Sequence, residues 1–152
     1  MKNTAIILAA GSGRRMRANV KKQYLELDGK PVLFYSLKAF DDSFIDEIIL
    51  VSAGEDLEYC QNEIVGKYAF KKVSAIVEGG RERYHSVMNG LNAIDSCDYV
   101  YIHDGARPFI DRDILEGARE CAGIHGCAIV SMPVKDTIRI TDESFVHGIF
   151  IE

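Results

Sequence analysis

The sequence predicts an α/β protein of three layers, with a doubly wound, mostly parallel sheet between helices and a C-terminal β-hairpin. Three observations predict it. Five short runs rich in β-branched residues are nearly continuous in apolar character, the pattern of strands covered on both faces. Segments of helical period separate them, so strand–helix–strand units repeat, with right-handed crossovers expected. A glycine-rich turn follows the first run, at the strand end where such sheets bind ligands.

The elements follow in order. Residues 4–9, Thr-Ala-Ile-Ile-Leu-Ala, read as the first buried strand, and residues 47–52, 72–77, 99–103 and 127–132 read as four more. Val32, Phe34, Leu37 and Phe40 mark a first helix, and residues 55–68 a weaker one. Tyr84, Val87, Met88, Leu91 and Ile94 mark the next. Ile114, Leu115, Ala118, Cys121 and Ala122 mark the last, which Asp111 opens as its N-cap. Thr137 to Ile140, then a polar tetrad, then residues 145–151 read as the hairpin. Linkers, repeats and low-complexity tracts are lacking, so residues 1–152 are expected to form a single domain.

Composition narrows the function. No apolar run approaches the roughly 20 residues of a membrane span, and the opening Met1-Lys2-Asn3-Thr4 has no leader pattern. The expected setting is the cytoplasm. Cys60, Cys97, Cys121 and Cys127 stand apart with no Cys-x-x-Cys pair, which argues against a metal or disulfide framework. The net charge is −5, yet residues 1–25 hold six basic side chains (Lys2, Arg14, Arg15, Arg17, Lys21, Lys22) and no acid. All 23 acidic residues lie beyond them. A single cationic segment in an acidic chain points to a local anionic ligand; a nucleic-acid surface spreads positive charge more widely.

That segment trails the turn Ala9-Ala10-Gly11-Ser12-Gly13-Arg14-Arg15-Met16. Glycines let a backbone approach phosphate oxygens with its N–H groups, and the cations beyond neutralise a polyphosphate. A Walker loop needs Gly-x-x-x-x-Gly-Lys-Ser/Thr, which is not present. A dinucleotide fingerprint needs glycine where Met16 stands and an acid closing the second strand, where Val51-Ser52-Ala53 stand instead. A plain turn with a solvated basic face accounts poorly for five basic residues between 14 and 22.

Three further clusters close the remaining strands. Glu78-Gly79-Gly80-Arg81-Glu82-Arg83-Tyr84-His85-Ser86 gives close backbone approach and a hydroxyl for a base or sugar, although a glycine turn with a charged first helical turn reads the same way. In His103-Asp104-Gly105-Ala106-Arg107-Pro108, Asp104 suits a magnesium ion, a ribose hydroxyl or a turn-forming role, and Arg107 suits a phosphate fork. His103 reads as a support for that loop. Lys135 and Thr137, after the fifth strand, are the right types to grip an anionic substrate, although a plain strand-exit turn reads much the same.

Taken in order, Ala-Ala-Gly-Ser-Gly-Arg-Arg-Met, Lys-Gln-Tyr, Gly-Gly-Arg-Glu-Arg-Tyr-His-Ser-Val, His-Asp-Gly-Ala-Arg-Pro and Val-Lys-Asp-Thr resemble the 2-C-methyl-D-erythritol 4-phosphate cytidylyltransferase family of isoprenoid biosynthesis, up to about Val146. The resemblance implies a Rossmann-like nucleotidyltransferase fold, CTP and a phosphorylated polyol as substrates, and magnesium or another divalent cation. It implies that Ala9, Ala10, Gly11, Ser12 and Gly13 contact the base and phosphates, and that Gly80 and Ser86 read cytosine, with Arg81 and Gly105 beside them. Arg15 and Lys22 would stabilise the transition state. Asp104, Arg107 and Thr137 would face the ribose, the metal or the acceptor phosphate.

The family pattern has proline where Lys21 stands, and continues past residue 152 through a dimer arm. The chain is therefore expected to lack that arm and the homodimer contacts it supplies. Two other readings stand beside this one. A ribitol 5-phosphate cytidylyltransferase is disfavoured by Ala9-Ala10 before the loop, and a nucleotide-binding fragment without complete catalysis is motivated by the short C-terminal end.

Overall fold

The computed structural model describes residues 1–11 and 20–133, together with the backbone of two short strands at 139–141 and 146–148. Met1–Leu115 form one compact unit and Glu116–Glu152 a second.

In the first unit, β1 (Asn3–Ala9) leads through a 3₁₀ turn at Lys22–Tyr24 to a small antiparallel ribbon, β2 (Glu26–Leu27) and β3 (Lys30–Pro31). Asp28 and Gly29 turn that ribbon with positive φ. Then come α1 (Val32–Asp41), β4 (Glu47–Ser52), a 3₁₀ turn at Gly54–Asp56, and α2 (Leu57–Tyr59), which widens into a π-helical stretch at Cys60–Gly66. β5 (Val73–Glu78), α3 (Arg83–Asn92), β6 (Tyr99–Asp104) and α4 (Arg112–His125) complete the series. The four long strands form one sheet in the order β5-β4-β1-β6, every pair parallel. All four carboxyl ends therefore lie along one edge.

Both faces of β1 and β4 are covered. Ile7, Ile48 and Leu50 on one face meet Leu33, Leu37 and Phe40 of α1 and Ile64 of the π stretch. Ile6, Ile49 and Val51 on the other face pack beneath α3. Each such fully buried side chain contributes about 1.5–3 kcal/mol.

The apolar stripe of α3 falls elsewhere than its helical period predicts. Tyr84, Met88 and Leu91 are exposed, and the side turned to the sheet carries Ser86 and Gly90. A Cβ on Gly90 would lie 2.7 Å from Ile6 Cγ2. Small residues bring this helix close to the strands, and periodicity ranks apolar size, not fit. β6 is likewise covered on one face only: Tyr101 and His103 pack on α1-side aromatics, while Val100 and Ile102 are more than a third exposed.

Asp111 caps α4 as the sequence predicts, its carboxylate accepting from the Ile114 N–H at 2.9 Å. Beyond α4, residues 127–132 do not form the fifth strand. They adopt no helix or strand, and Ile129 is 90% exposed. Composition supplies the propensity for a strand, but a ladder of hydrogen bonds makes one, and these residues have no ladder with any described neighbour. The hairpin is present as β7 (Arg139–Thr141) and β8 (Val146–Gly148), antiparallel, with Ile140 opposite His147.

A candidate nucleotide site at the carboxyl ends of the strands

The parallel sheet brings Ala9, Ala10 and Gly11 after β1 together with Gly79 and Gly80 after β5, and Asp104 and Gly105 at the end of β6. The closeness is steric fact. A Cβ on Gly79 would overlap the Ala10 Cβ and sit 2.9 Å from Ser86 Oγ. Only glycine allows the β1 and β5 ends to approach this far. Gly79 is also tied to β4, its N–H donating to the Ser52 carbonyl at 2.7 Å.

Ser86, 5% exposed, joins this floor from the first turn of α3. Its hydroxyl oxygen accepts from the Gly80 N–H at 3.1 Å. Glu82 and His85 close a reciprocal capping box at the start of the same helix, which accounts for a histidine with no evident role in the sequence. Arg81 is 91% exposed in its side chain and lies 4.0 Å from the Glu82 carboxylate. Gly105 is buried. Its N–H donates to Leu8 O at 2.8 Å, and its carbonyl takes a hydrogen bond from buried Ser36 of α1 at 3.1 Å.

Asp104 sits between two guanidinium groups. Arg83 reaches Oδ1 with Nε at 3.1 Å and Nη2 at 3.0 Å, and Arg107 Nε stands 3.1 Å from Oδ2. Arg83 was not legible as a site residue. It is one of several charges in a first helical turn, and only the fold aims it across at β6. A carboxylate has about four lone-pair positions, so Asp104 retains capacity for one more partner. Among the described residues no three His, Cys, Asp or Glu side chains form a metal cage. One carboxylate suffices for magnesium carried in on substrate phosphates, which keeps most of its waters and takes few protein ligands. In that sense Asp104 fits.

Lys22 is exposed on the 3₁₀ turn and forms no ion pair with a described residue. Its neighbours are anchored. Burial disfavours the Lys21 ammonium, but hydrogen bonds to Asp56 at 2.6 Å and Glu55 at 2.7 Å outweigh this and hold its pKa above the ordinary value. Burial pushes the Tyr24 phenol well above its usual range, and its hydroxyl reaches Asp56 at 3.1 Å. Ser12, Gly13, Arg15 and Thr137, together with Lys135, lie outside the described residues.

His103 supports the β6 turn, as expected: its Nε2 lies 3.0 Å from the Arg107 carbonyl and its ring packs 5.2 Å from Phe40. Burial lowers its pKa below 6.5. A lowered basic group leaves the unfolded chain holding more protons as pH falls, so its contribution is present above pH 6.5 and is lost below it. Thermal melts between pH 7.5 and 5.5 are expected to show wild type losing stability more steeply than His103→Gln. Parallel curves would contradict the account.

The family model for 2-C-methyl-D-erythritol 4-phosphate cytidylyltransferase matches residues 3–149. The chain belongs to the 2-C-methyl-D-erythritol 4-phosphate cytidylyltransferase family. It is 52% identical over 141 residues to the cytidylyltransferase of Lachnospira eligens, covering 92% of this chain and 62% of that protein. The Clostridium acetobutylicum protein of the same description is 50% identical over 142 residues, covering 93% and 62%. A solved 4-diphosphocytidyl-2C-methyl-D-erythritol synthase from Anaerococcus prevotii superposes with a TM-score of 0.80 at 32% identity, covering 97% of this chain and 62% of that one. The chain thus spans about three fifths of the length of these relatives, and the cytidylyltransferase fold is the one its parallel sheet adopts.

Proposed function

We propose that this chain carries the CTP-binding domain of a cytidylyltransferase that transfers CMP to 2-C-methyl-D-erythritol 4-phosphate, giving CDP-methylerythritol and pyrophosphate. The observation that supports this most is the floor made by Ala10, Gly79 and Ser86, on the sheet edge where β6 ends in Asp104. Glycine at position 79 keeps side-chain bulk out of this floor and brings the β1 and β5 ends together where a parallel sheet binds its ligand.

An acceptor phosphate oxygen attacks the α-phosphorus of CTP in line. The bond from that phosphorus to the bridging oxygen breaks, and pyrophosphate leaves with the electron pair. Such transfers need little covalent help from protein; positioning and neutralisation of developing charge carry them. Lys22, whose ammonium makes no ion pair with a described residue, is assigned to phosphate oxygens of the nucleotide, and Arg15 is assigned the same task. Ala9, Ala10, Gly11, Ser12 and Gly13 are assigned to the base and phosphates, Gly80, Arg81, Ser86 and Gly105 to the nucleoside. Arg107 and Thr137 are assigned to the acceptor phosphate. Magnesium, held by Asp104 and the triphosphate, would neutralise charge on the phosphates.

Purified chain given CTP, magnesium and 2-C-methyl-D-erythritol 4-phosphate is expected to release pyrophosphate, with ribitol 5-phosphate a poor substitute. Equal release with ribitol 5-phosphate would reassign the acceptor. Amide signals of Ala10, Gly11 and Lys22 that stay unmoved by millimolar CTP and magnesium would remove the nucleotide reading altogether.

A further inference from the structure

Gln23 is the one fully buried side chain of the 3₁₀ turn that carries Lys22, 3% exposed between an exposed Lys22 and a half-buried Tyr24. Its carboxamide nitrogen donates to the Ala9 carbonyl at 2.6 Å and to the Gly11 carbonyl at 3.1 Å. Both partners are acceptors, so only the orientation with the nitrogen facing them satisfies the group, and both of its N–H bonds are used. The two carbonyls bracket Ala10. One amide thereby holds the backbone on either side of the residue that touches Gly79.

The flanking contacts give this grip a direction. Lys21 is fixed to Glu55 and Asp56, and Tyr24 to Asp56, on the turn after β4. Among the side-chain hydrogen bonds of residues 21–24 to described residues, only those of Gln23 reach the end of β1. Lys22 lies between these anchors, its ammonium without an ion pair to any described residue and its backbone fixed on either side.

We propose that Gln23 is a positioning residue for cytidylyl transfer, its carboxamide setting the distance between Lys22 and the backbone of Ala9, Ala10 and Gly11. The inference rests on the function proposed above and adds a residue to it. A side chain that sets the place of a charge acting on the transition state affects turnover more than substrate binding. A misplacement of about 1 Å is enough to cost about 100-fold.

Gln23→Met keeps length and removes both donors. It is expected to melt within a few degrees of wild type, to keep its KM for CTP within about threefold, and to lower kcat by about 100-fold. Adding Gln23→Met to Lys22→Ala is expected to cost little further, because the first residue acts through the second. Unchanged kcat in Gln23→Met, or fully additive losses in the double variant, would overturn the proposal. If Gln23→Met does not fold, Gln23→Glu is read in its place, and failure of both to fold assigns Gln23 a purely structural role instead. A wild-type chain that releases no pyrophosphate removes the transfer reading alone. The positioning role then rests on the nucleotide-free amide signals of Ala10, Gly11 and Lys22, which Gln23→Met is expected to shift and which overturn it if unshifted.

Discussion

Replacing Lys22 with alanine is expected to lower cytidylyl transfer by about a thousandfold while weakening CTP binding by less than about tenfold. The disparity follows from where the charge acts. As the bond to pyrophosphate breaks, negative charge gathers on the leaving oxygens, and an ammonium already in place stabilises that charge without reorganising. In the function proposed here, ground-state binding is assigned to residues Ala9 to Gly11 and to the Gly79–Ser86 floor, which the substitution leaves alone. Stability should also hold, because Lys22 forms no ion pair with a described residue, in contrast to Lys21 with its two carboxylates. Single-turnover pyrophosphate release, calorimetric CTP titration and a melting curve separate the three quantities. Turnover within threefold of wild type would dismiss Lys22 from the reaction.

The fold was legible where the signal was local. Four of the five runs became strands, β1 and β4 covered on both faces as continuous apolar sequence suits, and Asp111 marked the start of α4 by its capping chemistry. The exceptions share a cause. Residues 127–132 have the composition of a strand but lack a ladder among their described neighbours. In α3 the apolar period indicated Tyr84, Met88 and Leu91, yet the sheet takes Ser86 and Gly90. Propensity and period describe what a residue prefers; they carry no information about which partner is near or how close it comes.

The site divides along the same line. The glycine turns, Asp104 and Arg107 stand out by residue type and position after strands, and the structure brings those it describes to one edge. Gln23 and Arg83 do not stand out. A glutamine between a lysine and a tyrosine looks like surface until the fold buries it beneath two carbonyls. An arginine in a charged helical turn looks solvated until β6 delivers Asp104 to within 3.0 Å of it.

Gly79→Val is expected to reduce CTP affinity by at least about 100-fold. The Cβ alone would collide with the Ala10 Cβ and stand 2.9 Å from the Ser86 hydroxyl. Neither obstacle can swing aside: the Ala10 methyl is fixed to the backbone, and Ser86 is held by its bond to the Gly80 N–H. The ends of β1 and β5 must therefore part, which opens the floor to which the proposed function assigns the base. Gly79 also donates to Ser52 O at 2.7 Å, so the distortion is drawn into β4 as well. Overpacking of this kind costs about 1–3 kcal/mol, small enough for the chain to remain folded at room temperature while the site is lost. Calorimetric titration with CTP and magnesium, paired with a melting curve, reads both effects. A valine variant that bound CTP as tightly as wild type would mean that the nucleotide sits away from the β1–β5 floor, and the residue assignments drawn from that floor would go with it.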